Sequence, residues 1–418
     1  MLEYIRKLWK IAELRNKILY TFGMLLLFRL VGCIPAPGID LTRLGMGGTD
    51  LPLLDMMNMM TGGAMSQMTI MAMGISPYIN SSIIMQLLCI ALPVLERMQQ
   101  EEGGREKINR ISRYVTIALA VIQAIGLSNG LGYAKDGLWN NILIGVSMAG
   151  GTALAMWIGE RITDKGIGNG ISLLIFAGIV SNLFNGIVGG FRTASTVTGL
   201  VGALVILLVL VILTFVVTFI DLGERRIPLQ IAKQVKGRRV YGGQNTHMTL
   251  KVISVGVMPL IFAYSFLSFP GTIGQLVAPH SGFTAWCNAN LVNGAWVHLI
   301  LSALLIFAFT FFYSSISFDA KKQAEQLQQQ GATIPGRRGK DIASYLQRTT
   351  NRLNLFAALF LAVLAAIPTL MLSGLSLQVP FAASSMLIAV SVSLESMRTI
   401  KGEMAIRGIE SDKDNGFM

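Results

Sequence analysis

Leu200 to Ile220 reads LVGALVILLVLVILTFVVTFI, an unbroken apolar run with no charge. A helix rises about 1.5 Å per residue, so about 20 such residues span the hydrocarbon of a bilayer. Several further runs in the 418-residue chain reach that length. Only 13% of the residues are charged, where a soluble globular chain carries about 25%. The alternating ten-residue pattern of an outer-membrane barrel is absent. The expected fold class is therefore all-α, a polytopic membrane protein. Ten spans are expected, at roughly 18–36, 73–95, 113–132, 140–160, 169–188, 200–220, 253–273, 297–317, 352–372 and 379–397. No cleavable signal peptide is expected. The start, MLEYIRKLWKIAELRNK, reads as a basic amphipathic segment ahead of the first span.

Charge supports the span count. Connections between spans alternate sides. The N-terminal segment, the C-terminal tail and loops 96–113, 160–166, 221–251 and 319–352 hold 30 of the 34 Lys and Arg. The opposite loops hold Arg43, Lys135 and Arg192, and Arg29 lies inside the first span. Positive charge marks the cytoplasmic side, so both termini are expected there. A wrong count would scramble this asymmetry. The net charge of +12 is first a statement about orientation and only second about partners.

The chain also repeats itself. Gly74-Ile75-Ser76-Pro77-Tyr78-Ile79 in span 2 and Gly256-Val257-Met258-Pro259-Leu260-Ile261 in span 7 both fit G-[IV]-x-P-x-I. Two and seven are equivalent positions in a chain made of two five-span halves. Five is odd, so the halves run in opposite senses, and inverted repeats of this kind build a pathway at their interface. The expected organisation is a segment 1–17, an N-terminal half 18–190, a C-terminal half 191–397 and a tail 398–418.

Several function classes lack their signatures. There is no G-x-x-x-x-G-K-[ST] loop for a nucleotide motor. His247, His280 and His298 do not cluster, and Cys33, Cys89 and Cys287 have neither metal nor disulfide spacing. No catalytic residue, metal site or cofactor is expected. An ion-coupled transporter needs carboxylates or histidines inside the membrane, and the span interiors are nearly free of them. Asp221 and Glu395 sit near span ends, and Arg29 is the one deep charge. Gly166-Ile167-Gly168-Asn169-Gly170 reads as the break between spans 4 and 5 rather than a phosphate loop.

Two loops stand out. Each of 221–251 and 319–352 holds seven Lys or Arg, with an Arg pair bounded by glycine: Arg238-Arg239 and Arg337-Arg338. Planar guanidinium groups suit phosphate or carboxylate recognition. Ribosomal RNA and an acidic protein surface both fit, and topology signals with lipid-headgroup contacts are the plainer reading.

At this point the residues resemble a known family. GISPYINSSIIMQLL (74–88), GERITDKGIGNGISLLIFAGI (159–179), ERRIPLQIAK (224–233), GRRVYGGQNT (237–246) and GVMPLIFA (256–263) are similar, in order, to the SecY family of protein-translocation channels. The resemblance implies an hourglass channel that passes unfolded, signal-bearing polypeptide across the bacterial cytoplasmic membrane and releases apolar segments sideways into lipid. It implies a ring of aliphatic residues at the waist, here Ile75, Ile79, Ile175, Ile179, Ile261 and Ile388. Branched aliphatics narrow a pore, close it to water by dewetting and do not hold a passing chain by hydrogen bonds. It implies a plug near 53–65, which would include Leu53, Leu54, Asp55, Met56, Met57 and Asn58, with Gly62 and Gly63 permitting a turn before span 2. A lateral gate between spans 2–3 and 7–8 would carry Asn80, Gln86, Gln123 and Ser265. Arg238, Arg239 and Arg338 would dock the SecA motor or a ribosome. SecE and SecG are the implied small partners. Arg337 and Gly339 depart from the family's usual Ile and Pro, and Met248, Thr249 and Ile253 depart near span 7.

Overall fold

The computed structural model describes residues 9, 11–39, 61–101, 103–130, 137–193, 197–231, 234–236, 239–241, 245–253, 256, 258–278, 281–291, 295–336, 340–375 and 383–406. Helices dominate, and one overlaps each of the ten expected stretches. In the first half these are α1 (Ala12–Val31), α2 (Ser76–Ala91), α4 (Gly104–Gly130), α5 (Leu138–Lys165) and α6 (Gly170–Thr193), with a short α3 (Pro93–Gln100) after α2. Then comes α7 (Val197–Asp221), followed by four strands, β1 (Glu224–Ile231), β2 (Gln234–Lys236), β3 (Arg239–Tyr241) and β4 (Asn245–Lys251). The chain continues through α8 (Met258–Val277), α9 (Gly282–Asn290), α10 (Trp296–Ser317), α11 (Ala320–Gln329), β5 (Ala332–Thr333), α12 (Lys340–Leu375) and α13 (Ala383–Ile406). Among the described residues, four helices are long and apolar enough to cross a membrane: Glu106–Ser128, Trp139–Lys165, Trp296–Gln329 and Asp341–Ala366. The bent pair Ser76–Ala91 and Pro93–Gln99 makes a fifth.

That bend departs from the expected straight span at 73–95. The chain turns by 105° between α2 and α3. Pro93 cannot donate a backbone N–H, and it forces Leu92 into extended backbone (φ −110°, ψ 112°). Other boundaries move as well. The last helix runs to Ile406, past the expected start of the tail at 398, and α12 begins at Lys340, inside the expected loop 319–352.

The helix packing repeats between halves. In the first, α2 packs on α4, α4 on α5 and α5 on α6; in the second, α8 packs on α10, α10 on α12 and α12 on α13. The halves meet where α8 crosses α2 and α4, and where α6 lies against α13 and α7. The break between α5 and α6 has a local cause. Asn169 accepts from the amides of Ile171 and Ser172 (3.1 and 3.4 Å), capping α6, while Thr163 accepts from Gly170 N at 2.9 Å.

Segments 221–251 and 319–352 are folded together. Strand β1 pairs antiparallel with β4, from Glu224↔Lys251 to Gln230↔Asn245, and on its other edge with β5. Beneath this sheet Ile227, Leu229, Leu327, Ile334, Ile342 and Leu346 form one small core with α11 and the start of α12. The two basic loops are thus two parts of one body, which charge spacing did not reveal.

Candidate functional site

The repeated motif marks the same device twice. Gly74 (φ +51°) and Gly256 (φ +64°) both adopt the left-handed backbone that glycine tolerates best. Each stands two residues ahead of a helix, α2 from Ser76 and α8 from Met258, and each helix has proline as its second residue. Proline fits there because the first helical amides have no partner within the helix. Ile79 and Ile261 then occupy the same register, one turn inside. Ile75 is the N-cap rather than a helical residue; its carbonyl accepts from Ile79 N at 3.0 Å, which keeps the two side by side.

All six ring isoleucines come together. Ile75, Ile79, Ile175, Ile179 and Ile388 are 2–7% exposed and belong to one cluster, with Ile261 packed against it. They arrive from α2 and its cap, α6, α8 and α13, so both halves contribute. Phe262 joins them and meets the rings of Phe309 and Tyr313 edge-on at 6.0 and 5.8 Å; sequence reading missed this aromatic collar. Ile175, Ile261 and Ile388 also line a cavity of about 300 Å³ that is walled by Asp221, Lys251, Glu395 and Arg398. Ile388 and Glu395 are two turns apart on α13, about 10 Å along its axis. The cavity thus runs from a dry end to a charged end, on the side that carries the basic loops.

Residues 53–60 of the expected plug lie outside the described residues. Gly62 and Gly63 are left-handed, at φ +70° and +90°. From Thr61 to Ile75 the chain turns repeatedly and is largely buried, with Met65, Met68, Met71 and Met73 each at most 4% exposed. Its backbone is tied to the segment that follows α1 by Ala36 N to Met68 O (3.0 Å) and Ile70 N to Ile34 O (2.9 Å). Arg29 donates to Gly62 O at 3.0 Å and to Ala177 O at 3.2 Å.

At the expected gate, Asn80 and Gln123 are buried, while Gln86 and Ser265 are half-buried. Among the described residues, Asn80 Oδ1 and Gln123 Oε1 find no hydrogen-bond donor. Next to Asn80, Ser81 Oγ on α2 donates to Ser112 O on α4 at 2.7 Å, a bond within the first half. Gln86 lines a separate cavity of about 250 Å³ with Tyr78, Asn109, Ser112 and Ile316. Of the arginines expected to dock a partner, Arg238 and Arg338 lie outside the described residues. Arg239 opens β3 and pairs with Lys236 of β2.

The comparisons with known proteins agree with this geometry. The SecY family model matches residues 69–397. Protein translocase subunit SecY of Escherichia coli (strain K12) is 38% identical over 424 residues, covering 96% of this chain and 94% of that one. A solved SecY chain, studied for a plug domain that stabilises the closed state, superposes with a TM-score of 0.68 at 18% identity, covering 96% of this chain and 95% of that one. Sec61 in the canine ribosome–channel complex superposes with a TM-score of 0.65 at 16% identity, with the same coverage. The inverted helical halves, the isoleucine cluster at their meeting point and the near-full-length match to translocase subunits establish one conclusion: the chain belongs to the SecY family, multi-pass membrane subunits of the protein-conducting channel, a passive pore and not an enzyme.

Proposed function

We propose that Ile75, Ile79, Ile175, Ile179, Ile261 and Ile388 form the constriction through which unfolded, signal-bearing polypeptide crosses the bacterial cytoplasmic membrane. The observation that carries this is the single buried cluster drawn from both halves, facing a cavity that turns polar within about two helical turns. Six aliphatic side chains exclude water and ions while offering a moving chain no hydrogen bonds. Bond chemistry is not required; the work comes from a partner.

The finer assignments follow the same reading. The N-terminal half 18–190 and the C-terminal half 191–397 part at the gate, and an apolar segment leaves between α2–α4 and α8–α10. Asn80, Gln86, Gln123 and Ser265 sit on those helices. Residues 53–65 act as the plug. The basic loops face the cytoplasm with both termini, and Arg238, Arg239 and Arg338 dock the SecA motor or a ribosome; Sec61, similar in fold, occurs in a ribosome–channel complex. SecE and SecG are the small membrane partners.

The test is transport in vesicles that contain the chain, its small partners and the motor ATPase. ATP-dependent protease protection of a signal-bearing, unfolded substrate is expected. Ile79→Asn with Ile175→Asn should raise resting ion leak by on the order of tenfold, because polar groups wet the constriction. An unchanged leak in that variant removes these isoleucines from the seal. Arg338→Glu should abolish protection; protection that survives removes Arg338 from the docking site.

A further inference from the structure

We infer that Arg29 is the positioning residue that latches the resting plug to the half of the ring built on α6. The inference rests on the plug assignment above. Arg29 sits near the end of α1, half-buried, and its guanidinium bridges two backbone carbonyls that belong to different parts of the machine. Nη1 donates to Gly62 O, at the end of the expected plug. Nη2 donates to Ala177 O, on α6 between the ring residues Ile175 and Ile179. The approach is tight: a Cβ at Gly62 would overlap the guanidinium. Both neighbours reinforce the contact. A Cβ at Gly63 would face Asn182 Oδ1 on the same helix, and one at Gly74 would meet Thr61 Cγ2 at 2.8 Å, so residues 61–63 are folded back between α6 and the start of α2.

The choice of acceptors matters. Among the described residues no carboxylate pairs with Arg29, and the acceptors seen for this costly charge are two neutral carbonyls. A charge-assisted bond to a carbonyl is stronger than a neutral one, yet the planar fork makes it directional. Moving the plug breaks the Gly62 bond, and the freed N–H groups then meet water in the vacated funnel. The Ala177 bond is intrinsic to α1 and α6 and does not need to break. Arg29 therefore holds a two-position contact, with one arm fixed beside the ring and one arm on the movable segment. An ordinary packing arginine would bond within static elements only.

The experiment compares three chains, each in the complete complex: wild type, Arg29→Gln, and a deletion of residues 53–61. Resting ion conductance is measured in planar bilayers without substrate. In parallel, Met65→Cys in a Cys33→Ser background reports plug exposure to a membrane-impermeant thiol reagent from the outer side. Losing a charge-assisted bond shifts the open population by about tenfold or more, so Arg29→Gln is expected to raise both conductance and labelling rate by about that factor. Motor-driven translocation and thermal stability should stay close to wild type. If translocation and stability fall together while leak and labelling do not change, Arg29 is only a packing residue and the latch is overturned. If the deletion leaks and Arg29→Gln does not, the latch fails and the plug assignment stands. If neither leaks, the plug assignment itself fails, and the latch with it.

Discussion

Lys17 Nζ lies 2.6 Å from Glu403 Oε1, joining the first helix to the last across 386 positions of sequence. Around the pair, Leu14 and Ile167 pack against Met404, with Ile18 and Ile400 beside them. The first and second halves are therefore clasped here, at the end of the bundle where the basic loops lie, as well as along α8 and at the isoleucine cluster.

Reversing one charge of the clasp should destabilise the protein, and reversing both should restore it. The two side chains are 30% and 22% exposed, so the pair is partly screened and its coupling is about 0.5–1 kcal/mol. Lys17→Glu should lower the thermal midpoint in detergent, and adding Glu403→Lys should recover most of the loss. A double variant no better than the single one would mean that the contact contributes nothing.

The two left-handed glycines should not be equally replaceable. Alanine at Gly256 meets open space and pays only the backbone strain, about 1 kcal/mol. Alanine at Gly74 adds the collision with Thr61 Cγ2, for a total of about 2–4 kcal/mol. Thr61→Ser removes that methyl group and should rescue Gly74→Ala but not Gly256→Ala in thermal melts. Equal losses at the two positions would show that the Thr61 contact relaxes freely.

Asn80 should set how apolar a signal must be. Among the described residues its buried Oδ1 finds no donor, a situation that costs about 1–3 kcal/mol. Leucine has the same branched shape without that cost, so Asn80→Leu should stabilise the closed gate. Transport of a weakly apolar signal should fall about fivefold, the factor that corresponds to about 1 kcal/mol, while a strongly apolar signal is retained. Equal loss for both signals would point to a general folding defect instead.

The two basic loops should loosen as one unit. Leu346 is fully buried in the core that joins β1, α11 and the start of α12. Leu346→Ala should cost about 2–5 kcal/mol in that small body. Limited proteolysis of vesicle-bound protein should then cut 221–251 and 319–352 with parallel kinetics. Cleavage confined to 319–352 would mean that the β1–β5 pairing does not couple them.

Much of this was legible in the sequence because the bilayer makes its demands one segment at a time. Hydrocarbon requires long apolar helices, and charge asymmetry orients them, so the apolar stretches and the halves could be read from runs, loops and the G-[IV]-x-P-x-I repeat. Pro93 also carried its message in plain view; the apolar run around it hid a break that its missing N–H dictates. What the tertiary structure decided concerns groups far apart in sequence. Isoleucine in a membrane helix looks the same whether it faces lipid, a neighbour or a pore. Only the convergence of α2, α6, α8 and α13 makes six of them one cluster. The carbonyls that Arg29 finds at Gly62 and Ala177, and the β1–β5 edge that unites the basic loops, are likewise backbone encounters. Backbone donors and acceptors are the same at nearly every position, so their pairing leaves little trace in side-chain pattern and is settled by the packing of the whole chain.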